Sequence, residues 1–95
     1  MPEMRFRIKW PDGIAEPCYS PSLVVKEYFS PGESYAVADF VNRSRTALEI
    51  ASDRVKAKYG WSCAPAMAQL ARIEAAAAAF SDLPDAHVTV EAFEE

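Results

Sequence analysis

One five-residue stretch of the chain concentrates groups that could do chemistry. Residues 18–22 read Cys-Tyr-Ser-Pro-Ser, so a thiol, a phenol and two hydroxyls lie close together. A catalytic Cys18 would need a nearby base or a positive field to form the thiolate. Strand alternation places Cys18 near Arg5 or Arg7, but no sequence rule places His87, the only histidine, beside it. Cys18 is therefore a candidate reactive thiol without an identified base.

Cys63 is the second candidate reactive thiol. It falls in the first turn of a predicted helix, where backbone N–H groups and the helix dipole lower a thiol's pKa. The alternative is a small buried thiol beside Trp61. We expect both cysteines to be free, with a Cys18–Cys63 disulfide as the alternative. One histidine and two distant cysteines offer no zinc-site spacing, so we predict no metal and no cofactor.

A candidate binding surface combines the Cys-Tyr-Ser-Pro-Ser stretch with the polar face of a predicted sheet. Ser20 is predicted to cap a helix whose first residue is Pro21. Tyr19 is predicted to be an aromatic residue of the core or its rim. The candidate binding residues are Tyr19, Ser20, Ser22, Arg5, Arg7 and Trp61. The simpler interpretation of the polar sheet face is cross-strand charge pairing.

The elements that position these residues begin with a hairpin. Residues 4–10, MRFRIKW, alternate apolar and basic side chains, which predicts a half-buried strand. Pro-Asp-Gly at 11–13 then predicts a turn, either a two-residue Asp-Gly turn or a three-residue loop with a glycine bulge. We expect both loops to place Tyr19 on the core face and Cys18 on the polar face. Pro17 cannot donate a ladder hydrogen bond, so the second strand should be an edge strand.

Three helices are predicted to follow the hairpin. The first is short and begins after Ser20. The second covers roughly residues 37–59, where apolar residues recur at spacings of three, four and seven, and it ends at Gly60. The third is capped by Ser62 and contains the alanine run 75–79, whose small side chains favour close packing.

The C-terminal segment predicts a third strand and completes the fold. Residues 87–93, HVTVEAF, alternate and are expected to pair with the first strand, with Phe93 facing outward. The element order is therefore ββαααβ. This order predicts a two-layer α+β fold, in which two to three helices cover one face of a small antiparallel or mixed sheet. We expect residues 1–95 to form one small domain with one modest core.

Composition narrows the possible partners. The net charge is −4, whereas nucleic-acid binders usually carry a basic field, so no nucleic-acid partner is expected. No apolar stretch approaches about 18 residues, and the N-terminal segment lacks a signal peptide's apolar core. We therefore expect a cytoplasmic protein without a membrane partner. The chain contains no GxGxxG, P-loop, HExxH or GxSxG motif.

Four segments together resemble the small nitrogen starvation response proteins of bacteria. They are MRFRIKWPDG, CYSPSLVV, ADFVNRSRTALEIASDRVKAKYG and AQLARIEAAAAAF, which extend from Met4 to about Phe80. The most specific parts are CYSPS and SRTALEIASDRV. Relatives are encoded beside a nitrilase, a radical-SAM protein, an acetyltransferase-like protein and a flavin-dependent oxidoreductase. The resemblance implies a cytoplasmic accessory role in nitrogen acquisition from nitriles or cyanide, but it gives no indication of whether the protein has a catalytic activity.

Three functions remain open at this point. The first is an accessory or binding protein whose partners are proteins of that gene cluster or a second copy of itself. The second is a small thiol-dependent enzyme or carrier that uses Cys18 or Cys63. The third is a homodimer in which the sheet edge or the alanine-rich helix completes a small-ligand site.

Overall fold

A computed structural model describes residues 3–95 and shows an α+β fold. Its elements are the strands β1 (Met4–Lys9), β2 (Ala15–Ser20), β3 (Ser34–Ala36) and β4 (His87–Glu94), the helices α1 (Val37–Tyr59) and α2 (Ala64–Ala78), and a 3₁₀ helix over Leu23–Glu27. The strands form one antiparallel sheet in the order β2-β1-β4-β3. Both α-helices pack on the same face of this sheet, and the predicted fold class is confirmed.

The strand order confirms two predictions and adds one strand. β4 pairs with β1, and β2 lies at an edge, as Pro17 indicated. The opposite edge is β3, a three-residue strand that the sequence did not predict. It pairs with β4 through Tyr35 and Val88, and α1 begins at the next residue. A strand this short carries too little alternation to be recognised.

The hairpin loop has three residues. The Trp10 backbone N–H donates to the Ile14 carbonyl at 2.9 Å, so these two residues close the loop. Gly13 has a φ of 88°, a conformation that glycine adopts without steric cost. A two-residue turn would instead pair Pro11 with Ile14. The two loop lengths therefore place each β2 side chain on opposite faces of the sheet, whereas we expected them to place it on the same face.

The prediction of which β2 side chains lie on the core face is consequently wrong. Phe6 lies opposite Cys18, and Arg5 lies opposite Tyr19. Cys18 is thus on the core face and Tyr19 on the solvent face. Glu16 also turns toward the helix side, where it accepts a hydrogen bond from the Trp10 indole N–H.

The predicted facing of Phe93 is wrong for a different reason. The pairing of β1 with β4 shifts by one residue, because Arg7 lies opposite Ala92 whereas Ile8 lies opposite Val90. An extra residue in one strand reverses the alternation beyond it. Phe93 therefore lies opposite Phe6 and packs against the core.

The helix boundaries agree with the sequence more closely than the helix caps do. α1 ends at Gly60, which has a φ of 88° and donates its N–H to the Lys56 carbonyl at 2.8 Å. The N-cap of α2 is Cys63 rather than Ser62. The short helix after β2 is a five-residue 3₁₀ helix capped by Ser22 rather than by Ser20. Ser20 is still part of β2, so the helix begins later than predicted.

Aromatic side chains join the sheet to the helices. The Phe29 ring lies 5.9 Å from Phe6 on β1 and 5.2 Å from Phe40 on α1, between ring centroids. Trp10 contacts Phe40 edge-on at 5.7 Å and stacks on Phe80 at 5.9 Å. Such pairs add to the free energy of burial, so this cluster holds α1 on the sheet. Within residues 3–95, no helix combines the length and the apolar character needed to cross a bilayer.

Candidate functional site

Two long-range hydrogen bonds join the Cys-Tyr-Ser-Pro-Ser stretch to the two α-helices. The Tyr19 backbone N–H donates to Gln69 Oε1 on α2 at 3.0 Å. Arg54 on α1 donates to Ser22 Oγ at 3.0 Å. We call residues 18–22, together with residues 58–63 at the end of α1 and in its connection to α2, the strand–helix corner. Both α-helices are therefore attached directly to the end of β2.

Cys18 is a buried residue of this corner and packs in the core. It is 1 % exposed. The pKa of its thiol is raised to about 12, chiefly by burial and secondarily by the Glu16 carboxylate, while Arg72 acts in the opposite direction. The only histidine, His87, lies on β4, a strand that does not pair with β2, and its ring contacts the Asp85 carbonyl. The environment of Cys18 thus favours the neutral thiol, which is a poor nucleophile.

Tyr19 lies half-buried on the solvent face of β2, with its backbone held by α2. Partial burial raises the pKa of its phenol, Cys63 and Glu3 contribute in the same direction, and Arg5 lowers it. The Gln69 side chain that accepts from the Tyr19 backbone is 6 % exposed. The ring of Tyr19 and the guanidinium of Arg5 thus present an aromatic and a cationic group side by side.

Ser20 and Ser22 face inward and have structural roles. Ser20 Oγ donates to the Ser22 carbonyl at 2.7 Å and accepts from the Ser22 N–H at 3.3 Å. Ser22 Oγ accepts from the Val24 N–H at 3.3 Å and from Arg54. Both serines are buried. These hydroxyls therefore order the start of the 3₁₀ helix and do not contribute exposed groups to a surface.

Cys63 and Trp61 lie in the connection between the helices but have opposite environments. Cys63 is buried at the N-cap of α2, and its backbone N–H donates to Ser52 Oγ at 3.1 Å. Trp61 is 68 % exposed and stacks on Tyr59, with 6.4 Å between ring centroids. The Lys58 ammonium lies 5.5 Å from the centre of the Tyr59 ring. The exposed part of the connection is thus an aromatic pair with an adjacent cation.

Arg5 and Arg7 both extend from the solvent face of β1. Arg7 forms an exposed ion pair with Glu94 at 3.1 Å, which is the charge pairing expected of a polar sheet face. Arg5 is the neighbour of Tyr19 across the β1–β2 pair. The two arginines therefore differ: Arg7 has an acidic partner in the sheet, whereas Arg5 adjoins the corner.

The corner is suited to non-covalent binding. Its exposed groups are aromatic rings with adjacent cations, and such surfaces recognise apolar and acidic groups of a partner. In the part of the chain that the structure describes, no group of three or more histidine, cysteine or carboxylate side chains is placed to hold a metal ion. Of the six predicted binding residues, Arg5 and Tyr19 are neighbours on the solvent face of the sheet, and Trp61 is exposed in the helix connection.

Sequence reasoning missed the residues that assemble the corner. Gln69, Arg54 and Ser52 each make a hydrogen bond that joins segments distant in the chain. Gln69 occupies a core-facing position of α2, together with Leu70 and Ile73. A glutamine within an apolar helical stripe is a usable signal, because a buried amide requires a hydrogen-bond partner.

Fold and site together define a small α+β protein whose four-stranded sheet is covered by two helices and whose strand–helix corner is an aromatic and cationic surface. The family model described as nitrogen starvation-induced protein NitG matches residues 5–93. The chain therefore belongs to the NitG family, which confirms the resemblance to nitrogen starvation response proteins. Neither the curated proteins nor the solved structures compared with the chain include a significant match.

Proposed function

We propose that this protein is a non-catalytic accessory protein of the bacterial nitrogen starvation response, and that it acts in the cytoplasm by binding another protein. Membership of the NitG family supports the link to nitrogen starvation. The resemblance noted from the sequence suggests the pathway, the use of nitriles or cyanide as a nitrogen source. It also suggests the partners, which are the enzymes encoded beside a nitrilase, or a second copy of the chain.

The observation that carries the binding role is the exposed aromatic pair of the corner. Trp61 is 68 % exposed and Tyr59 is 47 % exposed, although both rings could bury apolar surface. Tryptophan, tyrosine and neighbouring cations are the side chains that most often dominate the affinity of protein interfaces. Lys58 beside Tyr59 favours a partner surface that carries a carboxylate next to an apolar patch.

The burial of both thiols supports a binding role over thiol catalysis. Cys18 is 1 % exposed, with a thiol pKa of about 12. Cys63 is also buried, at the N-cap of the fifteen-residue helix α2. The thiol-dependent alternative now depends on Cys63, which lies at the N-terminus of a helix, whereas Cys18 lies in the core within a strand.

The proposal is tested by measuring binding to each purified enzyme of the nitrilase cluster by biolayer interferometry at micromolar concentrations. We expect one enzyme to bind, and Trp61→Ala to weaken that binding at least tenfold. Ile14→Ala is the matched control, because Ile14 is 62 % exposed on the distant hairpin loop. Light scattering on the same samples tests self-association as the alternative.

Two results would contradict the proposal. If no enzyme binds and the chain is monomeric, the accessory role through protein contact is wrong. If an enzyme binds equally well to the Trp61→Ala and Ile14→Ala variants, binding occurs but the corner is not the contact surface.

A further inference from the structure

A second concave surface lies at the other end of the helix pair. It is a groove of about 500 Å³ between the start of α1, the end of α2 and the loop that leads to β4. We call it the α1–α2 groove. Val41 on α1 is about 18 residues from Tyr59, so at roughly 1.5 Å per residue about 27 Å separates the groove from the corner. The groove is therefore independent of the surface assigned to protein binding.

The alanine run of α2 creates the space in this groove. Ala77 and Ala78 line it from α2, and Ala38 lines it from α1. Small side chains at facing positions leave a volume that larger ones would fill. Phe80 closes one side and is itself stacked on Trp10, so that wall is held by the core. The groove volume lies in the range typical of small-molecule sites, and most of its lining is apolar.

Four polar side chains line the same groove, and three of them, Asn42, Arg45 and Glu74, are joined by hydrogen bonds. Arg45 donates from Nη2 to Glu74 Oε2 at 2.8 Å and from Nη1 to Asn42 Oδ1 at 3.1 Å. A guanidinium carries five N–H groups, so within residues 3–95 three of those of Arg45 make no hydrogen bond. Glu74 is 43 % exposed on its side chain and retains acceptor capacity at its carboxylate. The groove thus offers an apolar floor beside one cation and one anion.

We propose that the α1–α2 groove binds a free α-amino acid with an apolar side chain. The apolar side chain of the ligand lies between Val41 and the alanines of α2. The ligand's carboxylate accepts from Arg45 and Asn42, and its ammonium donates to Glu74. A zwitterion matches this arrangement because each of its charges meets the opposite charge of the pair. A ligand with only one charge can match only one member of the Arg45–Glu74 pair. The other member then faces either a like charge or no charge of the ligand.

The test is an NMR titration of the full ¹⁵N-labelled chain with L-leucine, 4-methylpentanoate and 3-methylbutylamine. The last two ligands keep the apolar body but lack the ammonium and the carboxylate, respectively. We expect leucine to shift amide signals of residues 37–45 and 74–86, and each analogue to bind at least fivefold more weakly. Absence of leucine binding at 10 mM or below, or equal binding of either analogue, overturns the proposal.

Paired variants locate the site. Ala78→Leu fills the groove from an exposed helical position and should weaken leucine binding at least tenfold, whereas Ala75→Leu, exposed on the same helix outside the groove, should not. Glu74→Gln should weaken leucine binding but not 4-methylpentanoate binding. Because Glu74 is exposed, this variant keeps the test valid if Ala78→Leu fails to fold. Equal effects of the two leucine variants, or unchanged leucine binding in Glu74→Gln, contradict the assignment.

Discussion

The thiol of Cys18 should be at least a thousandfold less reactive in the folded protein than in the unfolded chain. The variant Cys63→Ser leaves Cys18 as the single thiol. In this variant we expect Ellman's reagent at pH 8 to modify Cys18 at least 10³-fold more slowly in buffer than in denaturing urea. The reason is the position of the side chain, which is 1 % exposed and lies opposite Phe6 in the core.

Two independent routes to reaction lead to this magnitude. Direct attack requires the thiolate, and a pKa of about 12 against an ordinary 9.0 differs by about 3, which lowers the thiolate population about 10³-fold below pH 9. Reaction through unfolding requires the core to open. An opening free energy of about 4 kcal/mol already slows the reaction about 10³-fold, and the free energy of unfolding of small domains is about 5–15 kcal/mol.

The assay follows absorbance of the released thionitrobenzoate at 412 nm between pH 7 and pH 9, with circular dichroism recorded on the same samples. The raised pKa also predicts the sign of a stability change. The unfolded chain releases the Cys18 proton first, so the free energy of unfolding falls as the pH rises above about 9 toward the folded-state pKa. The companion variant Cys18→Ser leaves Cys63 as the single thiol, so that the same assay reports on Cys63 alone.

One result would refute this reasoning. If Cys18 reacts within tenfold of the unfolded rate while circular dichroism shows native structure, the side chain is accessible and the hairpin facing is wrong. The thiol-dependent function would then regain its stronger candidate.

Three further predictions concern the hydrogen bonds of the corner, and urea unfolding measures each. Ser22→Ala removes the acceptor for Val24 and Arg54 and should cost about 1–2 kcal/mol, whereas Ser62→Ala, at an exposed non-capping position, should stay within about 0.5 kcal/mol. Gln69→Leu leaves the Tyr19 N–H without its acceptor and should cost about 1–3 kcal/mol; an unchanged midpoint would contradict the contact. Cys63→Ser places a favoured N-cap side chain on α2 and should gain about 0.5–1 kcal/mol, so a loss of stability would argue against that cap position.

Local features of the sequence were sufficient to predict α1 almost completely. The apolar residues that recur along the helix lie within it, and the glycine that ends it, Gly60, is the next residue. The structure places the helix at Val37–Tyr59. The edge position of β2 was equally accessible, because Pro17 lacks the N–H that an inner strand would use. Both features depend on the chemistry of single residues, which is unaffected by the rest of the fold.

The facing of β2 was not accessible in the same way. Alternation determines which residues of one strand share a face, but the number of loop residues determines how two strands correspond. Pro-Asp-Gly is compatible with two loop lengths, and the one that forms reverses Cys18 and Tyr19. The extra residue of β4 has the same effect on Phe93. The corner itself depends on contacts such as Gln69 with Tyr19, 50 residues apart, which alternation and capping rules do not address.

The chemistry of the two sheet edges determines how a partner can bind at the corner. β2 offers little backbone to an added strand, because Pro17 has no N–H and the N–H of Tyr19 is already bonded to Gln69. The other edge, Ser34–Ala36, has only three residues and is followed at once by α1. Binding by strand addition is thus disfavoured at both edges. Affinity at the corner must therefore come from side chains, which is why truncating Trp61 should abolish most of it while leaving the sheet unchanged.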